Sequence, residues 1–117
     1  MKKPVKRGEI YWLINDEEPR GSVQAKTRPC VIVQNDKANI FSSVTIVVVA
    51  TKVVKDKQYP WDVIVRDDSC GLINPSRILC NQIFTIQQDR LGEKIGELPH
   101  NIMRDVDIAL KNSLDLN

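Results

Sequence analysis

Between Val44 and Thr51 every residue except Ala50 is β-branched. Such side chains are stiff at χ1 and crowd a helix, yet they pack well on a pleated surface. The segment therefore reads as a strand, the most committed one in the chain. Residues 10–14 and 30–34 have the same character, as does the run opening at Pro60-Trp61 and continuing to Val65. Residues 77–86 read as a fifth strand and 94–98 as a short sixth. Polar, breaker-rich stretches separate them: 15–27 with Pro19 and Gly21, 52–59, and the turn-rich 67–75.

The period changes at the end of the chain. Ile102, Val106, Ala109, Leu110 and Leu114 recur at helical spacing, so 100–114 reads as an amphipathic helix whose stripe covers an open side of the sheet. Short strands followed by one helix predict a mainly β, α+β fold: a small barrel or strongly bent antiparallel sheet with a C-terminal helix. The 117 residues are expected to form a single domain, 1–117, large enough to fold without a metal or disulfide. No repeat, low-complexity segment or glycine-rich phosphate loop is present.

A net charge of +2 permits a nucleic-acid partner without arguing for one. The longest apolar run, Ile46–Ala50, is far too short to cross a bilayer, and no apolar segment follows the N-terminal charges. The expected location is the cytoplasm, with no membrane partner. Cys30, Cys70 and Cys80 are odd in number and lack paired spacing. Cys30 and Cys80 read as small core residues, and Cys70, in a Ser-Cys-Gly turn, as the exposed thiol. Neither a metal nor another cofactor is expected, because the three cysteines and the single histidine lack zinc-ligand spacing.

His100, at the start of the last helix, is the only histidine, which excludes a two-histidine acid–base pair. What remains is chemistry by positioned charge and hydroxyl. In Lys26–Asp36, KTRPCVIVQND, Arg28 stands where a loop feeds a strand, and Pro29 suits the start of a strand but not its middle. A guanidinium there suits a phosphate or carboxylate. Thr51 ends the third strand and can donate to the same group, while Gln24, Asn35 and Gln82 can read base edges or hold a backbone. Taken singly, an Arg before Pro is usually a surface ion-pair residue, and a Thr ending a strand serves β propensity.

Together these segments resemble the MazF/PemK family of toxin endoribonucleases. The resemblance rests on RGEIYWL, on Gly21-Ser22-Val23-Gln24, on KTRPCVIVQND, VTIVVVATK, YPWDV and SRILCNQIFTI, and on the helix ending in ALKNSL, and it runs from Arg7 to Leu116. It implies an SH3-like barrel acting as a homodimer. It also implies metal-independent, sequence-specific cleavage of single-stranded RNA (mRNA), and neutralisation by an acidic antitoxin protein, with DNA binding by the toxin–antitoxin complex. The family's catalytic Arg and Thr fall on Arg28 and Thr51, and its RNA-groove positions on Ser22, Gln24, Asn35, Ser76, Asn81 and Gln82. Val23 and Asn81 stand where relatives usually carry acidic residues, and Phe84 where a basic one is common. The alternatives are a non-enzymatic toxin of the same fold that binds a protein such as DNA gyrase, and a catalytically impaired relative that binds RNA or an antitoxin.

Overall fold

The computed structural model describes residues 3–14, 27–52, 57–66, 68–72 and 75–117. In chain order the elements are β1 (Glu9–Ile14), β2 (Thr27–Ile32), α1 (Asp36–Phe41), β3 (Val44–Lys52), β4 (Asp62–Val65), β5 (Ser76–Gln87), β6 (Leu91–Glu97) and α2 (His100–Leu114). Short 3-10 turns lie at Asp68–Cys70 and Gln88–Arg90. The strands form one six-stranded sheet in the order β4-β5-β3-β2-β1-β6, and every neighbouring pair is antiparallel. The mainly β expectation, a bent antiparallel sheet with a C-terminal helix, holds.

The β-branched segment lies in the middle of the sheet, and its pleat feeds two cores. Val48 and Ala50 join Ile10, Val31, Ile78 and Cys80 in one cluster, which α2 covers with Val106 and Ala109. Val47 and Val49 join Val5, Cys30, Ile32 and Leu91 in a second cluster on the opposite face. Alternate residues of a strand face opposite sides, so a strand apolar at every position fits a sheet covered on both.

Strand β5 is bent. Its register on β3 pairs Ile83 with Val48 and then Leu79 with Val49, which skips Cys80, Asn81 and Gln82. Bulges of this kind bend a strand and increase its local twist. The bend carries the sheet far enough round for the turn beyond one edge strand to pack on the other. The turn at Cys70-Gly71, which follows β4, lies against Ile95 and Gly96 of β6. Gly71 adopts φ +88°, and a Cβ there would stand 2.7 Å from the Ile95 carbonyl oxygen. A Cβ on Gly96 would run into the Cys70 carbonyl. Cys70 is buried in the first cluster rather than exposed, because this contact pulls its turn inward.

Two local expectations shift. Strand β2 ends at Ile32, not Gln34, because Asn35 begins a helix: its side-chain oxygen accepts the Ala38 N–H at 2.8 Å. The helix has six residues, only Asn39 of it is buried, and Phe41 is 80% exposed. It therefore leaves no apolar stripe to read. The strand expected over 94–98 is longer and earlier, at Leu91–Glu97.

Replacing Gly96 by Ala should lower unfolding stability by about 3 kcal/mol, because the obstacle is backbone and cannot rotate away. Replacing Gly92 by Ala should cost less, since its nearest neighbours are the side chains of Ile14 and Trp12 at 3.2–3.4 Å. Urea titration of both variants checks the order.

Candidate active site

Pro29 brings no N–H to a ladder, and the pairing of β2 with β3 begins one residue later, at Cys30 opposite Val49. Strand β2 stays paired with β1 through Pro29, Arg28 and Thr27. Strand β3 stays paired with β5 through Thr51 and Lys52. The two central strands are therefore each held on their outer side while the ladder between them has stopped. Continuing the register by two residues sets Arg28 opposite Thr51 across this gap.

Directly opposed residues of an antiparallel pair share a face. Arg28 follows the pleat of Cys30 and Thr51 that of Val49, so both side chains turn to the face of the second core. Arg28 is exposed and Thr51 half-buried. Thr51 also lies directly opposite Arg77 of β5. A row thus crosses the sheet on one face: Leu13, Arg28, Thr51, Arg77 and, on β4, Ile64. Arg77 Nη1 donates to Asp62 Oδ2 at 2.6 Å, with the two side chains 12% and 2% exposed. The same oxygen accepts the Tyr59 N–H at 3.2 Å. A buried carboxylate needs such partners.

At the mouth of the gap lies a pocket of about 270 Å³, lined by residues of β1, β2 and β3, by Gly71 and Leu72 of the turn, by Ser76 and by Ile95. Arg28 and Thr51 are both on its lining, beside Trp12 and Lys52. The pleat assigns Trp12, Ala50 and Lys52 to the opposite face from Arg28 and Thr51, so the two faces of the sheet meet at this mouth. A larger hollow of about 540 Å³, between β4 and α2, includes neither Arg28 nor Thr51.

Of the residues singled out in the sequence, Arg28, Thr51 and Ser76 come together at this pocket. Ser76 is only 3% exposed, in the pocket wall. Asn81 and Gln82 are exposed on the β5 bulge. Asn35 is elsewhere: it lies beyond the far end of β2, more than ~13 Å of strand from Arg28, with its side chain engaged as a helix cap. Ser22 and Gln24, like Val23, lie outside the described residues. His100 is exposed at the start of α2. Arg77 and Asp62 were not singled out. Only the register between distant strands reveals that Arg77 faces Thr51.

Residues 6–114 match the family described as PemK-like, MazF-like toxin of type II toxin-antitoxin system. The chain belongs to this family. It is 38% identical over 114 residues to endoribonuclease MazF of Staphylococcus epidermidis, covering 97% of this chain and 93% of that protein. It is 39% identical over 113 residues to endoribonuclease EndoA of Bacillus subtilis (strain 168), covering 96% of each. A solved mycobacterial endoribonuclease in complex with its cognate antitoxin shares the PemK/MazF fold seen here, with a TM-score of 0.78, 23% identity and 97% of each chain covered.

Cys30 is two residues from Arg28, yet it offers this PemK/MazF chain no nucleophile. Burial pushes its thiol up to about 12, and burial does the same to Cys80, helped by the Asp62 and Asp107 charges. Cys70 is fully buried. Ellman's reagent at pH 8 should therefore find no reactive thiol in the native protein and all three after denaturation. Cys30 and Cys80 ionise near 9 in the unfolded chain and near 12 in the folded one. Their contribution to stability is thus complete below pH 9 and is lost as pH rises towards 12. Urea midpoints measured across that window should fall, and by less in a Cys30→Ala variant relative to its own value at pH 8.

Proposed function

We propose that the chain is the toxin component of a type II toxin–antitoxin system and a sequence-specific, metal-independent endoribonuclease acting on single-stranded RNA, mRNA included. The observation that carries the reading is the facing of Arg28 and Thr51 across the gap that opens at Pro29. It stands in a toxin-family chain whose curated relatives are named endoribonucleases.

Cleavage of RNA by its own 2′-hydroxyl has three requirements. The hydroxyl proton must leave, the pentacoordinate phosphate must be stabilised and the departing 5′-oxygen must gain a proton. The products are a 2′,3′-cyclic phosphate and a 5′-hydroxyl. A guanidinium is a poor base but a good clamp for charge spread over phosphate oxygens. In this reading Arg28 holds the transition-state phosphate from one side of the gap and the Thr51 hydroxyl donates from the other. Arg28 is exposed, so a phosphate reaches it without entering the core. Asn81 and Gln82 then stand along the path of the RNA strand, with Ser76 in the pocket wall beside it and Ser22 and Gln24 on the loop that leads to Arg28. Neither Val23 nor Asn81 can accept a proton, so the base is not at the positions where relatives carry acids. A cognate antitoxin, a homodimeric state and a cytoplasmic location accompany this function.

Purified protein should cut a long single-stranded RNA at discrete sites in excess EDTA, leaving cyclic-phosphate and 5′-hydroxyl ends. RNA left intact at high protein concentration, with gyrase supercoiling blocked by the same sample, would sink the reading. Arg28→Ala should stay folded and lose about 10²–10³ in turnover. Arg28→Lys should also be impaired, because a point charge does not replace a two-pronged donor. Full activity in Arg28→Ala removes the assigned role.

A further inference from the structure

From Thr51 the row across the sheet leads outward, through Arg77 and Asp62, to an aromatic pair. Asp62, bonded to Arg77, accepts the Tyr59 N–H. The Tyr59 ring stacks on Trp61 with centroids 5.0 Å apart and planes 1° from parallel. Lys57 Nζ stands 5.2 Å from the Tyr59 centroid. Three elements hold the backbone beneath this pair. The Asp62 N–H donates to the Tyr59 carbonyl at 2.9 Å, the Cys80 N–H of β5 donates to the Trp61 carbonyl at 3.0 Å, and Asn112 Nδ2 of α2 donates to the Pro60 carbonyl at 3.1 Å. Trp61 is half-buried, while Tyr59 remains 41% exposed.

A rigid, preformed stack that leaves its outer aromatic residue exposed is a surface on which another planar ring can lie. Nucleobases are such rings, and stacking on an aromatic side chain tolerates any base because every base has a π-face. The surrounding charge suits a polyanion. Lys57 and Lys52 are exposed, and Asp62, the carboxylate that accepts the Tyr59 N–H, is buried and neutralised by Arg77. Lys57 sits on the Tyr59 ring as an exposed cation–π contact, an interaction weak enough to yield to a phosphate. The pair is also continuous with the Arg28–Thr51 gap: Arg77 touches Asp62, which touches Tyr59, and faces Thr51 directly.

We propose that Tyr59, backed by Trp61, is a stacking platform for one base of a single-stranded RNA whose scissile phosphate lies between Arg28 and Thr51, and that Lys57 meets an adjoining phosphate. This inference rests on the endoribonuclease reading and deepens it by naming where a flanking nucleotide is held. Because stacking is indifferent to base identity, the platform adds affinity and not sequence choice. Tyr59 is thus a substrate-binding residue outside the chemical step, so its loss raises KM, leaves kcat nearly unchanged and leaves the cleavage sites where they were.

The test measures binding separately from cutting. The probe is a single-stranded oligonucleotide whose 2′-hydroxyls are replaced by hydrogen, so that it cannot be cleaved, titrated by anisotropy. Tyr59→Ala and Tyr59→Leu should weaken binding about tenfold or more. Tyr59→Phe, which retains the ring, should bind as the wild type does. A series of probes with a single abasic position should contain one that weakens wild-type binding by a similar factor and leaves the binding of Tyr59→Leu unchanged. Loss of fold would not produce that pattern. Unaltered binding by folded Tyr59→Leu overturns the inference, as does an abasic series in which no position is specific to the wild type. Failure of the wild type to bind any single-stranded probe overturns it as well. A wild type that binds the probe but leaves RNA uncut counts against the nuclease reading alone, and the abasic series still decides the stacking.

Discussion

Burial of β3 on both faces is the constraint from which the rest of the structure follows. Val47 and Val49 point into one core, Val48 and Ala50 into the other. At roughly 1.5–3 kcal/mol for each buried valine-sized side chain, this one strand anchors both layers. Its neighbour β5 is held by a long ladder and β2 by a short one, and each must itself be covered on two sides. The sheet meets that demand by bending at the β5 bulge, with α2 closing one face and the Val5 and Leu91 segments closing the other. The polar residues at the end of β3 lie where this double burial runs out.

The charges at that end belong to two classes. Arg28 is exposed and costs little to hold. Arg77 is nearly buried and is tied to an almost fully buried Asp62, a pair that tolerates the interior only because each partner satisfies the other. The row therefore places an exposed cation and a fixed one on either side of a half-buried hydroxyl. The fixed pair holds the β4 edge in place, and the exposed cation is available to a ligand.

The strands with strong β character and the terminal helix were legible in the sequence because their signals are local: side-chain branching, period and breakers. Residues 10–14, 44–51, 77–86 and 100–114 are found close to where they were expected. The errors have specific causes. The polar cluster Gln34-Asn35-Asp36 reads as a loop, but asparagine is also a favoured helix cap, and the short α1 it starts has no apolar stripe. Cys70 looked exposed because a Ser-Cys-Gly turn usually is. Its burial depends on Gly96, twenty-six residues away and on another strand. The pairing of Thr51 with Arg77 likewise follows from register and from the bulge, neither of which a local pattern encodes. Arg28 and Thr51 face one another because β2 and β3 are antiparallel partners whose register, continued past Cys30 and Val49, sets the start of one strand against the end of the other.

The contact between Gly96 and the Cys70 turn does more than bring two edges of the sheet together. The same turn carries Gly71 and Leu72 into the wall of the pocket beside Arg28 and Thr51, and Ile95 forms part of that wall from the β6 side. One seam therefore serves as both the clasp of the fold and a side of the cavity. The cavity cannot be widened there without unfastening the clasp, so variation in what this site accepts is confined to its open rim.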